Sequence, residues 1–281
     1  KLSATGTDVW TRADLPGHAR VAPDDSIIVA VDDTRLVKVD SAGVDVWDVA
    51  TTGLHGCNDE SRMARWLAAT PAGGVVVFNG GVRQFGPDGV LQWSQATTAF
   101  CHLAVAVSPA GVVNVGVENA NAESTDLERF AADGTRLATL EQVTGQYWFA
   151  LDIAADGDLA CSAAGHSYVG IYRFDAADAQ VGWNEFDTDS GDYVENGVAA
   201  SADGTTASAV PLDSTAFIDG LQLRRLARDG TLLLTSIRPD VVAYDLDASA
   251  AGTIAVGGTF WSSDEASPRG WVTSFAALPA P

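Results

Sequence analysis

The chain is poor in lysine, with only Lys1 and Lys38, and it holds a single methionine and three cysteines. No apolar run approaches the roughly 18 residues of a membrane-spanning helix, so membrane insertion by a helix is not expected. The cysteines (Cys57, Cys101 and Cys161) are too few for a disulfide framework and lack the CxxC pairing of a structural zinc site. Helical periodicity is missing throughout, and no segment carries capping residues at both ends. Positive charge is scarce as well: 16 Lys and Arg stand against 37 Asp and Glu, a net charge of −21. Phosphate binding needs a basic patch, so nucleic acid and anionic lipid are excluded as expected partners.

What the sequence does contain is apolar residues, 47 % of the chain, enough to bury a sizeable core. These residues recur in a pattern. RVAPDDSIIVAV (20–31), AATPAGGVVVFN (68–79), AVSPAGVVNVGV (106–117), IAADGDLACSA (153–163), AASADGTTASAV (199–210) and DASAAGTIAVGG (247–258) each read as strand, tight turn, strand. Their turn residues Asp25, Gly73, Gly111, Gly157, Gly204 and Gly252 are spaced by 38 to 48 residues.

A second hairpin alternates with the first: LVKVDSAGVDVW, VRQFGPDGVLQW, LERFAADGTRLATL, YRFDAADAQVGW and LRRLARDGTLLLT, with the opening LSATGTDVW as a sixth outer strand. Trp10, Trp47, Trp93 and Trp183 occupy one slot of this unit, shared with Ala138 and Leu234. A row of exposed tryptophans would suit sugar stacking. Large apolar side chains shared between neighbouring repeats more often pack sheet against sheet, which is the reading adopted here.

Two hairpins in about 45 residues make a four-stranded antiparallel blade, the unit of an all-β propeller. Six such units predict one domain over 1–281 with six blades. The C-terminal blade ends after its third strand, at WVTSFAAL (271–278), so residues 7–12 are expected to supply its fourth and close the ring.

The repeats VRQFGPDGVLQW and AVSPAGVVNVGV resemble the bacterial propeller repeats grouped as SBBP-type, and the G-x-x-x-W spacing is similar to PQQ-like repeats. The resemblance covers nearly the whole chain and implies the propeller fold. It implies no single activity, because enzymes, assembly factors and binding scaffolds all use such repeats. The adjacent cysteines of the PQQ enzymes are absent here, so the quinone cofactor is not expected.

With strands labelled A to D from the axis outward, the short A–B and C–D turns fall on one face. The D-to-A and B-to-C connections fall on the other, and the irregular lengths are all there. TTGLHGCNDESRM (51–63) is the longest D-to-A connection. Cys101 ends the next one, so a Cys57–Cys101 disulfide is predicted, the alternative being two reduced thiols. Cys161 is read as a buried thiol inside a B strand.

All four histidines, His18, His55, His102 and His166, map to connections on this face. Candidate ligand-binding residues are His18, His55, Arg62, His102, Tyr147, Trp148, Glu195 and Tyr244. Aromatic faces among Asp, Asn and Arg suit a carbohydrate or a protein or peptide ligand. No cofactor is expected. Zinc would suit the His and carboxylate set, and calcium the acidic DTDSGD (187–192), but neither HExxH nor DxDxDG occurs. GxSxG is also missing. The expectation is a monomeric, exported binding module, secreted, periplasmic or at the cell surface, whose signal segment is not in this sequence. An enzyme on the same face, a polysaccharide lyase or metal-dependent hydrolase, is the alternative.

Overall fold

Alternating apolar residues between five-residue Asp- and Gly-bearing turns can bury a face only by pairing strand with strand, and the computed structural model of the chain is built this way. It describes residues 9–15, 17–31, 34–51, 67–78, 81–97, 101–119, 124–137, 139, 147–164, 168–187, 197–201, 203–214, 217–239, 241–248, 253–260 and 269–275.

Among them are six antiparallel sheets. Sheet I holds β1 (Gly17–Val21), β2 (Ile27–Val31), β3 (Arg35–Val39) and β4 (Asp45–Ala50). Sheet II holds β5 (Leu67–Ala69), β6 (Val75–Phe78), β7 (Val82–Phe85) and β8 (Leu91–Gln95). Sheet III has three strands, β9 (Cys101–Val107), β10 (Val113–Asn119) and β11 (Ser124–Phe130). Sheet IV holds β12 (Tyr147–Ile153), β13 (Leu159–Ala164), β14 (Tyr168–Phe174) and β15 (Gln180–Asp187). Sheet V holds β16 (Gly197–Ala200), β17 (Thr206–Ser214), β18 (Phe217–Leu226) and β19 (Leu232–Pro239). Sheet VI has β20 (Val241–Ala248), β21 (Ile254–Phe260) and β22 (Arg269–Phe275).

Second strands such as β2 and β6 are buried on both faces, whereas the fourth strand β4 alternates between exposed and half-buried. The core therefore lies between sheets, near their inner strands. The largest cluster runs through sheets I to III, with Ile28, Leu36, Leu67, Val75, Val113 and Phe130 fully buried.

Ten turns close these hairpins with one hydrogen-bond pattern: the first residue bonds the fifth, and the fourth donates back to the first. The fourth residue has positive φ in each. It is glycine in eight turns and aspartate in two, Asp25 (φ 61°) and Asp178 (φ 70°), residues whose short polar side chains tolerate this region. A three-residue loop ending in a left-handed residue fits the twist of paired strands.

Between sheets, the outer-strand tryptophans act as clasps. Trp47 donates its indole N–H to Pro87 O at 2.9 Å and Trp93 to Ala132 O at 3.0 Å. Their rings lie on the turn glycines of the next sheet: a Cβ added to Gly89 would sit 3.0 Å from the Trp47 ring, and one on Gly134 would sit 2.7 Å from that of Trp93. Packing, not an open sugar platform, is what these two residues do.

Inner seams are closed by cations. Lys38 is buried, donating to Gly73 O of the next sheet at 2.7 Å and to Asp24 at 3.0 Å. In the corresponding place Arg173 donates to Gly204 O at 2.6 Å and to buried Asp158 at 2.9 Å, and Arg228 from sheet V bonds the same carboxylate at 2.8 Å.

Several expectations are corrected. Trp183 does not share the tryptophan slot. Its turn residue is Asp178, one position further back than in the other repeats, so Gly182 pairs with Arg173 where Trp47 pairs with Lys38. A Cβ on Gly182 would lie 2.2 Å from Arg228 O, leaving no room for a ring, and Trp183 faces the other way, 53 % exposed. The one-residue shift flips the face because side chains alternate along a strand.

Among the described residues, the outer strand expected within LERFAADGTRLATL is represented by an isolated bridge, Phe130↔Arg136. No strand is assigned over residues 9–15, where part of the closing strand was expected, and residues 1–8 lie outside the described set. Strands also run further than the turn signals suggested: SIRPDVVAY (236–244) and PLDSTAFIDG (211–220) are mostly strand.

Candidate functional site

The first strands of the six sheets surround a channel of about 350 Å³. Its wall takes residues from all six, including Ala19 of β1, Leu67 of β5, Val105 of β9, Ala150 of β12, Val198 of β16 and Leu246 of β20. Most lining residues have small apolar side chains, with Arg20 and Asp152 the charged ones, but the exposed wall is more polar than apolar. Asp152 accepts the backbone N–H of Ala200 at 2.6 Å, so this carboxylate ties sheet IV to sheet V across the wall. Sequence reading did not single out Arg20 or Asp152. Their signal was present: each is a charge inside an otherwise apolar inner strand, HARV and ALDI.

Chain direction fixes the two ends of the channel. Every inner strand runs toward its tight turn, so the A–B and C–D turns gather at one end. There the aspartates serve the turns. Asp40 accepts the N–H groups of Ala42 and Val44, and Asp175 those of Ala177 and Ala179. Asp24 holds its carboxyl at about 2 because it accepts the Ser26 hydroxyl and pairs with Lys38. The D-to-A and B-to-C connections leave from the opposite end.

Several expected ligand residues lie at that second end, though as strand residues rather than loop residues. His18 is the second residue of β1, paired with Ala30. His102 is the second residue of β9, paired with Val117. Tyr147 and Trp148 open β12, opposite Ala164 and Ala163. Tyr244 lies within β20, at a bulge between Ala243 and Asp245. Loop assignments failed here because an inner strand keeps its hydrogen-bonded partner beyond the last apolar residue.

Of these positions only His102 and Tyr147–Trp148 stand on neighbouring inner strands, β9 and β12; β5 lies between β1 and β9, and β16 between β12 and β20. His55, Cys57, Arg62, Glu195 and His166 lie outside the described residues. Cys101 is described as the first residue of β9, opposite Glu118. Cys161, on β13, is buried as expected, and burial pushes its thiol pKa up. Among the described residues no group of three or more His, Cys, Asp or Glu side chains is gathered as for a metal.

No protein-family model and no curated protein matches the chain. Solved structures do. Streptogramin B lyase aligns over 95 % of this chain and 84 % of its own at 10 % identity, with a TM-score of 0.59. The Dos1 propeller aligns over 87 % and 67 % at 10 % identity, TM-score 0.56. The WD40 repeats of RRP9 align over 87 % and 89 % at 12 % identity, TM-score 0.53. Identities this low speak for the fold alone. The chain has an all-β, propeller-like fold of antiparallel, mostly four-stranded sheets.

Proposed function

We propose that the chain is an exported, monomeric, six-bladed propeller that binds a protein, peptide or carbohydrate ligand on the face carrying its D-to-A and B-to-C connections. The observation that carries this reading is the sorting of the connections. Ten uniform turns close one end of the sheets, and the long, variable segments leave from the other, beside the channel mouth. A rigid frame bearing variable loops at one end is the arrangement in which binding residues concentrate.

Ring closure by the N-terminal segment belongs to the same reading. Trp10 supports it, because it docks on sheet I as Trp47 docks on sheet II, with its N–H on Ser41 O at 2.9 Å and its ring against Gly43. A Cys57–Cys101 disulfide would tether 51–63 beside β9, lowering the entropy lost on binding.

His18, His55, Arg62, His102, Tyr147, Trp148, Glu195 and Tyr244 are the ligand residues in this proposal. Glycan and peptide arrays supply the test. A ligand retained by the parent should be bound more weakly by each of His55→Ala, Arg62→Ala and Trp148→Ala. Three variants that bind like the parent at an unchanged melting temperature would put the site elsewhere.

A further inference from the structure

The seam between sheets III and IV is built differently from the seams between I and II and between IV and V. The next-to-last residue of the third strand is a cation in sheets I, III and IV: Lys38, Arg129 and Arg173. Lys38 and Arg173 donate to the turn-glycine carbonyl of the following sheet, Gly73 O and Gly204 O. Arg129 does not reach the equivalent Gly157. Its Nη1 pairs with Asp178, the left-handed aspartate of the β14–β15 turn, and its Nε donates to Asn114 Oδ1 at 3.1 Å. Among the described residues, Gly157 O accepts no hydrogen bond.

Two further positions open space in the same seam. Between sheets IV and V, Arg228, the second residue of its turn, reaches Asp158, the fifth residue of another. Between sheets III and IV those positions hold Ala176 and Val112. A cavity of about 200 Å³ lies there, lined by both and by Asn114, Arg129 and Gly157. It is smaller than the roughly 300–1,000 Å³ taken by drug-sized ligands, so it suits a compact group.

The polar groups of its lining are incompletely used. Asn114 is buried at 3 % exposure, and an amide carries two N–H donors. Only one has an acceptor, Val112 O, at the long distance of 3.5 Å. Arg129 has no partner for Nη2 among the described residues. Acceptors stand in the same wall: Gly157 O, and Asp175, which uses one oxygen for the N–H groups of Ala177 and Ala179. Pro109, Leu159 and the two small residues supply apolar surface, and the exposed wall is more apolar than polar.

We infer that this cavity is a second binding site, at the turn end of the molecule, for a carboxamide carried on a small apolar body. It lies opposite the ligand face proposed above and does not rest on that proposal. A carboxamide oxygen accepts from Asn114 and Arg129, and its N–H₂ donates to Gly157 O and Asp175. A carboxylate has no donor for those acceptors. It also meets Asp156 and Asp175 in the lining, with Arg129 already neutralised by Asp178. An amidinium has donors only and leaves the buried Asn114 N–H unpaired.

Amide chemical-shift titration of the whole chain with benzamide, benzoate and benzamidinium tests this, because the three share one ring and differ in the head group. Benzamide should give saturable shifts at 108–112, 155–159 and 175–178, and the two charged probes should bind about tenfold more weakly or not at all. N-acetyl-glutaminamide separates two sources of the amide: tighter binding than benzamide marks a glutamine side chain on a partner, and weaker binding a free small amide. Ala176→Leu fills the cavity from an exposed turn position and should abolish the benzamide shifts. Ala177→Leu, adjacent but outside the lining, should leave them unchanged. Asn114→Leu should weaken benzamide about tenfold, the scale of one hydrogen bond. If Asn114→Leu lowers the melting temperature, Ala176→Arg takes its place and should abolish binding as Ala176→Leu does.

Three results would overturn the inference: no saturable benzamide shift at these positions, benzoate or benzamidinium binding as well as benzamide, or parent-like benzamide affinity in Ala176→Leu.

Discussion

Trp47 donates its indole N–H to Pro87 O in the neighbouring sheet at 2.9 Å, and its ring covers Gly89, which has φ 79°. One residue thus satisfies its own polar group, shields a turn and joins two sheets. Trp183, one position out of step on β15, does none of these.

This difference is measurable. Trp47→Ala should cost about 2 kcal/mol in urea unfolding, below the range for a fully buried tryptophan because the ring is half-buried. Gly89→Ala should also destabilise, since the new Cβ meets both the ring and an unfavourable φ. Trp183→Ala should change stability by less than about 0.5 kcal/mol. Equal losses at Trp47 and Trp183 would contradict the clasp.

Asp158 is the hub between sheets IV and V. It is buried and accepts from Arg173 at 2.9 Å and Arg228 at 2.8 Å. Asp158→Asn should cost about 3 kcal/mol, because the buried Arg173 guanidinium loses its near counter-charge and keeps only the half-exposed Asp156 at 3.8 Å. Arg228→Ala should cost much less, as this side chain is largely exposed and Arg173 still holds the carboxylate. Chemical denaturation of the two variants checks the ordering.

Acid should weaken the turn end. Asp24 sits at about 2, down from 3.8, by accepting from Ser26 and pairing with Lys38. A depressed carboxyl stabilises the fold fully above its unfolded value, and the gain disappears as pH falls through the folded one. Its share should therefore be present above about pH 4 and lost toward pH 2. Asp24→Asn should flatten that part of the stability profile; an unchanged slope between pH 4 and 2 would rule it out.

Thiol titration tests the proposed disulfide together with the buried cysteine. Cys161 is fully buried with a raised thiol pKa, so it should not react with a thiol reagent in the native protein. With Cys57 and Cys101 bridged, the native chain should show no reactive thiol and the denatured, unreduced chain one. Three thiols in denaturant would rule out the bridge.

The sequence by itself determined the strands, the turns and their repeat. Alternation and positive-φ turn residues are local properties, so the hairpins around Asp25, Gly73, Gly111, Gly157 and Gly204 were legible, as was the packing role of Trp47 and Trp93. The tertiary structure decided what depends on register between distant segments. The flip of Trp183 follows from a single residue at Asp178, and the pairing of His18, His102 and Trp148 as strand residues follows from partners on β2, β10 and β13. Leu103 and Phe149 look like ordinary apolar strand residues in the sequence. Only the pairing of β9 with β10 and β12 with β13 leaves them unpaired at one height, because a bulge is a relation between two strands and no single strand encodes it.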